Sequence, residues 1–150
     1  MPLNQALKGK EYPDVEFNVE RDKVIAFCEA IGEDDPIYLD AEAAKAAGYP
    51  EQVAPPTFAI VPQMGASGYV VTDPEMGLDF TRIVHGEQEF DYRRPLFVGD
   101  KLKATPRVGD IYAKGPNEFL VIEAEVKDES GETVLVSRST LLSRGTAEGA

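Results

Sequence analysis

The chain has 150 residues with 27 acidic against 15 basic side chains, a net charge of -12, one cysteine and one histidine. That length suits a single domain able to bury a core without disulfides or metals, and no stretch approaches the ~20 apolar residues of a membrane span. The strong negative charge argues against nucleic acid and anionic membrane surfaces as partners. The opening residues MPLNQALKGKEYP carry neither a basic nor an apolar signal-peptide region. Cys28 falls on the apolar side of a helical pattern with no partner in the chain, so a reduced, cytoplasmic, disulfide-free protein is expected.

In chain order, VEFNV (15 to 19) alternates apolar and polar residues as a half-buried strand does. The stretch ERDKVIAFCEAIG then sets Val24, Ile25, Phe27, Cys28 and Ile31 at helical spacing and stops at Gly32. A second short helix is expected over about Ala41 to Ala47, ending at Gly48. The double proline of VAPPTF holds the chain extended before a mostly apolar helix that begins near Pro56 or Thr57. Pro62 either kinks that helix or moves its start later, and a helix apolar nearly all round belongs inside. Gly65, Ala66, Ser67 and Gly68 offer a small-residue surface for close approach. From residue 82 the chain reads as β: RIVHGEQEFDY, KLKATPRVGDIYAK, NEFLVIEAEVKD and TVLVSRSTLLSR alternate, with SGE a turn between the last two. One strand, then helices, then four antiparallel strands predicts an α+β domain over residues 1–145 with an antiparallel sheet wrapped around a long central helix, and a disordered tail at 146–150.

Four stretches together carry a resemblance: AIGEDDPIYLD after an amphipathic helix, APPTF opening the central helix, VHGEQEFDYRRPLFVGDKL across a strand and turn, and the final three-strand meander. With them the chain resembles the MaoC-like hotdog family of (R)-specific enoyl hydratases and 3-hydroxyacyl dehydratases. Within it the chain looks most like the A- and C-type subunits of mycobacterial (3R)-hydroxyacyl-ACP dehydratase and the N-terminal half of two-hotdog hydratases. The resemblance implies a single hotdog domain, an acyl-CoA or acyl-ACP thioester as ligand, a role in fatty-acid metabolism and no cofactor.

Hydration of an enoyl thioester needs a base and an acid for the α-carbon proton and the 3-oxygen. Catalytic relatives resemble one another in a G-D-x-N-P-[apolar]-H loop whose Asp and His fill those roles. Laid on this sequence, Gly32 matches the glycine, Glu33 stands at the Asp, Asp35 at the Asn, Pro36 at the proline and Tyr38 at the His. The histidine is absent. Tyrosine, with a reference pKa near ~10, is a poor base at neutral pH, and the extra methylene of Glu33 shifts its oxygens by more than ~1 Å. Glu33 and Tyr38 are therefore candidate catalytic residues in a loop that departs from the catalytic pattern. The resemblance implies a subunit that holds substrate while another hotdog supplies Asp and His. A stand-alone hydratase or thioesterase using Glu33, and a non-enzymatic acyl-thioester module, remain the alternatives.

The sole histidine, His85, with Gly86 beside it, is a candidate for the substrate groove, as are Phe58 after the double proline and Tyr92. A structural histidine with one satisfied hydrogen bond is an equally simple reading of His85. The segment RRPLFVGDKLKATPR concentrates Arg93, Arg94, Lys101, Lys103 and Arg107 around one acid, Asp100. Such an island suits the phosphates of coenzyme A or a carrier protein, or is a solvated strand pair. One histidine and one cysteine leave a zinc set short of ligands, so no metal is expected. A hotdog sheet leaves an edge strand unpaired, so a homodimer, or a heterodimer with a catalytic hotdog subunit, follows from the resemblance.

Overall fold

The computed structural model of the protein describes residues 1–149. Strand β1 (Val15–Asn18) leads into helix α1 (Arg21–Ile31), which Gly32 ends in the left-handed conformation at φ 72°. There its N–H reaches the carbonyls of Cys28 and Glu29, a closure that a residue with a Cβ resists. A 3-10 turn at Pro36–Tyr38 and helix α2 (Ala41–Ala46) follow. After another 3-10 turn at Pro56–Ala59, helix α3 runs over Ile60–Val71. Pro62 is thus the third residue of α3, where its missing N–H costs nothing, and it delays the helix rather than kinking it.

Strands β2 (Ile83–Tyr92), β3 (Lys101–Lys114), β4 (Asn117–Lys127) and β5 (Thr133–Ser143) join β1 in one sheet of order β1-β3-β4-β5-β2, every pairing antiparallel. Strand β4 alternates buried and less buried residues along its length, with Leu120, Ile122, Ala124 and Val126 turned inward under the helices. Two apolar clusters fill the space between sheet and helices. One gathers Val24, Cys28, Phe58, Leu102 and Leu135, and the other Val70, Met76, Val108, Ile111 and Leu120. At roughly 1.5–3 kcal/mol for each large side chain removed from water, these clusters supply the main drive for the fold.

Two expectations change here. Helix α3 is covered on one face only: Pro62, Gln63, Ala66 and Val70 are buried, whereas Met64 is 68% and Tyr69 47% exposed. The apolar composition therefore reflects a second face that the single chain leaves open. The tail is also not free from its start. Thr146 and Ala147 are buried, with Thr146 Oγ1 donating to Glu118 at 2.8 Å and the Ala147 N–H to Pro116 O at 3.1 Å. Glu118, itself buried, also accepts from the Leu3 N–H at 2.9 Å, so one carboxylate ties both ends of the chain to β4. Residue 150 lies outside the described residues. Among the described residues, no helix is long and apolar enough to cross a membrane.

Candidate active site

The acidic loop is held by its own backbone. Asp35 Oδ1 accepts from the Ile37 N–H at 3.1 Å and caps the 3-10 turn, while Asp40 Oδ1 accepts from the Glu42 N–H at 3.1 Å and caps α2. Asp34 is exposed. Two acids of this loop, Asp35 and Asp40, are thus spent on helix starts. Glu33, half-buried, accepts from the Asp35 N–H at 3.1 Å through Oε1. Segment 52–53 clamps the loop from the other side: Gln52 Nε2 donates to Tyr38 O at 2.7 Å, and the Val53 N–H to Ile37 O at 3.1 Å.

Beyond this clamp opens a cleft of about 380 Å³, walled by Tyr38, Tyr49, Val53, Tyr92, Arg93 and Leu96. Burial pushes the Tyr38 phenol up from its ordinary pKa, and the nearby charges of Glu33 and Asp35 push it further. Burial likewise raises Tyr92 to about 12, with its hydroxyl donating to Pro56 O at 2.5 Å where the central helix segment begins. Burial first, then the charge of Glu33, raises the Cys28 thiol. Every one of these groups stays protonated at neutral pH, so the cleft offers hydroxyl donors and no imidazole. Glu33 and Asp35 are the carboxylates whose charges reach Tyr38. Tyr38 and Tyr92 line the same cleft, whereas Glu33 is not among its lining residues.

The other predicted residues separate. Phe58 is 1% exposed, set edge-on to Phe27 at a 5.4 Å centroid distance and tilted against Phe17 at 6.0 Å. It belongs to the core rather than to an acyl wall, because the 3-10 turn after Pro55 aims it inward. His85 lines a different hollow, about 470 Å³ and largely apolar, beside Ile60, Met64, Val71, Ser139 and Leu141. Its Nε2 lies 3.1 Å from Gln88 Oε1, which also accepts from the Ser139 hydroxyl. Gly86 is the extra residue of a β-bulge between His85 and Glu87, where a Cβ would meet Thr140 O at 3.4 Å. The glycine thus serves the bend of the strand.

The basic island also divides. Arg94 forks onto Asp100 at 2.8 and 3.1 Å, with Asp128 at 3.7 Å, and these carboxylates hold its guanidinium above even its usual high pKa. This Arg pins the turn before β3 and is already neutralised. Arg93 lines the same cleft as Arg94 and is paired with Asp91 at 2.8 Å on the surface. Lys101 and Lys103 line a separate groove among Asp14, Glu16, Asp128 and Glu129. Arg93 and Arg94 follow the end of β2, whereas Lys101 and Lys103 share one side of β3 with acids of neighbouring segments around them. The island is therefore not one anion site. Among the described residues, no three His, Cys, Asp or Glu converge as a metal set would.

Two features carried little sequence signal. Tyr49 and Leu96 reach the cleft only through folding. Gln63 stands in an apolar helix, which is a visible irregularity: it is buried, donates to Ser67 at 2.9 Å and accepts from the Ser137 hydroxyl of β5. It therefore locks the helix onto the sheet.

Residues 6–136 match the family described as FAS1-like, dehydratase domain region. A UPF0336 protein of Saccharopolyspora erythraea is 48% identical, over 99% of this chain and 96% of its own. Among solved structures, the C-terminally truncated HadBC (3R-hydroxyacyl-ACP dehydratase) complex from Mycobacterium tuberculosis superposes with a TM-score of 0.82 at 27% identity, covering 91% of this chain and 96% of that one. A MaoC-like dehydratase superposes at 0.87 and 27% identity over 93% of this chain but 43% of that longer chain.

Proposed function

The chain belongs to the FAS1-like dehydratase-region family and has the MaoC-like hotdog fold, and from that premise we propose that it is the acyl-thioester-binding subunit of a (3R)-hydroxyacyl-ACP or -CoA dehydratase. In this reading it acts in fatty-acid metabolism beside a hotdog subunit that brings the catalytic Asp and His. One observation carries the proposal: the loop that aligns with the catalytic one contains Tyr38, a half-buried phenol with a raised pKa, where a base is needed. The sole histidine lines another hollow, next to the exposed face of α3. The similar HadBC structure is a complex of two subunits, which supports a division of labour.

In such a pair, the cleft contributes the Tyr38 hydroxyl as a donor and apolar walls, with Arg93 at its rim for a phosphorylated carrier, while the Tyr92 donor stays on Pro56 O. The test is binding against turnover. The purified chain is titrated with a non-reactive acyl-CoA and assayed with crotonyl-CoA and a longer enoyl-CoA. Binding with turnover only after an Asp- and His-bearing hotdog subunit is added supports the proposal. Normal turnover by the chain alone sinks it.

One observation favours a second reading, a stand-alone hydratase or thioesterase: the Glu33 charge does reach the Tyr38 phenol. Turnover by the chain alone that Glu33→Gln abolishes would select it. Binding without turnover even beside a candidate partner would select a non-enzymatic acyl-thioester module.

A further inference from the structure

The basic side chains that the fold gathers are not those that cluster in the sequence. Where β2 begins, Ile83 faces Ser143 and Ser143 faces Glu118; one residue further, Arg82, Arg144 and Asn117 stand in line, and Asn117 faces Lys114 of β3. The Arg144 N–H reaches Arg82 O at 3.1 Å and the Gly145 N–H reaches Asn117 Oδ1 at 2.9 Å, so the line is held by its own backbone. Carbonyls also fix the guanidiniums, with Arg82 Nη1 donating to Arg144 O and Arg144 Nε to Arg82 O, each at 3.2 Å. Lys114, Arg144 and Arg82 are all exposed, and among the described residues only Arg82 of the three makes an ion pair, with Asp79 at 3.4 Å. Like charges facing one another across strands are destabilising. In a chain of net charge -12, a row of cations left without acids suits an anionic partner.

Beside it on the outer face of the sheet runs an apolar row. Tyr112 faces Phe119, Phe119 faces Leu142 and Leu142 faces Val84 as direct cross-strand neighbours. Ile111 and Leu120, one step along the same strands, are buried in the core, which leaves this row outside. Tyr112 and Val84 are each 39% exposed, and the Tyr112 and Phe119 rings lie parallel at 4.9 Å. Beyond the apolar row come Asp110, Val121, Thr140 and Glu87, so positive charge is confined to one flank. Neighbouring strands lie about 4.8 Å apart and alternate residues of one strand about 7 Å, while side chains three or four apart on a helix are about 5–6 Å apart. A helix laid across the four strands thus sets successive acids over Lys114, Asn117, Arg144 and Arg82 while its apolar stripe covers Tyr112 to Val84. We propose that this end of the outer face docks an amphipathic helix of another protein, apolar on one stripe and acidic along one flank. The surface lies at the far end of β2 from Tyr92 and is separate from the cleft, so it does not rest on the thioester reading.

The full chain is titrated with a fluorescein-labelled helical peptide of about fifteen residues, leucines on one stripe and glutamates along one flank, and binding is read by anisotropy. A peptide with glutamines in place of the glutamates is the control, and phosphatidylglycerol vesicles are tested alongside. At low ionic strength the glutamate peptide is expected to bind at least about tenfold more tightly than the glutamine peptide, and added salt is expected to narrow the gap. Arg82→Gln/Arg144→Gln is expected to remove that preference, with a thermal melt to show that the variant folds. Lys114→Gln is expected to weaken the glutamate peptide about threefold, which keeps the test open should the arginine variant unfold. Tyr112→Gln is expected to weaken both peptides alike. Equal binding of the two peptides overturns the proposal, as does unchanged affinity in the charge variants. Vesicle binding without peptide binding assigns the surface to a lipid and overturns it as well.

Discussion

Gln52 holds the backbone of Tyr38: its Nε2 donates to the Tyr38 carbonyl at 2.7 Å from a side chain with no exposed surface. The loop of Glu33 to Tyr38 is thus fixed by a residue fourteen positions away, next to Val53 of the cleft wall. Gln52→Ala removes this donor and leaves a carbonyl unpaired at a partly buried position, at a cost of about 1–3 kcal/mol. The expected result is a lowered melting temperature and weaker binding of acyl-CoA. Unchanged binding and stability would show that the loop holds its shape without the clamp.

Phe58 separates core from site. With 1% exposure and two aromatic neighbours, Phe58→Ala is expected to cost about 3–5 kcal/mol, read from denaturant midpoints. Phe58→Leu retains most of the fold and is expected to leave acyl-CoA affinity within twofold of wild type. A selective loss of affinity in the leucine variant would return Phe58 to the acyl wall.

Asp73 gives the protein an acid-sensitive joint. It accepts from Lys10 Nζ at 2.8 Å and Tyr12 Oη at 2.7 Å, and these hydrogen bonds lower its pKa from 3.8 to about 2. A carboxyl whose folded pKa is depressed gives stability that is fully present above its unfolded value and lost as pH falls through the folded one. Wild type is therefore expected to lose stability between about pH 4 and pH 2, and Asp73→Asn to show a shallower acid limb with lower stability at neutral pH. Parallel acid limbs for the two proteins would exclude this joint as a contributor.

The divided basic island makes a contrast that binding can read. Arg94→Ala is expected to lower the melting temperature, since its fork on Asp100 secures the turn into β3. Arg93→Ala is expected to weaken acyl-CoA binding several-fold with little loss of stability, whereas Lys101→Ala/Lys103→Ala leaves affinity unchanged. Loss of affinity in the lysine variant would reunite the island as one phosphate site.

Much of the fold is visible in the residues themselves. Alternation marks β2 to β5 to within a residue or two, because each strand has one face on a core and one facing out. Gly32 and the prolines mark helix ends through backbone geometry that no tertiary contact overrides. Sheet order, the open face of α3 and the burial of Thr146 are not local properties. They depend on which strand lies beside which, and a helix stripe facing a partner has the composition of one facing a core. At the site, the motif places Glu33 and Tyr38 side by side. It does not reveal that Asp35 and Asp40 are caps, since an Asp that begins a helix and an Asp that moves a proton look alike in sequence.

The central claim is that this chain holds an acyl thioester but lacks the base to hydrate it. It is tested most directly by assaying hydration of crotonyl-CoA by the purified chain and by its Glu33→Asp/Tyr38→His variant at neutral pH, with acyl-CoA affinity measured for both. The account predicts binding by both and negligible turnover by wild type, with turnover rising by at least about 10²-fold once an imidazole replaces the phenol. Rapid hydration by the wild-type chain alone, abolished by Glu33→Gln, would contradict it.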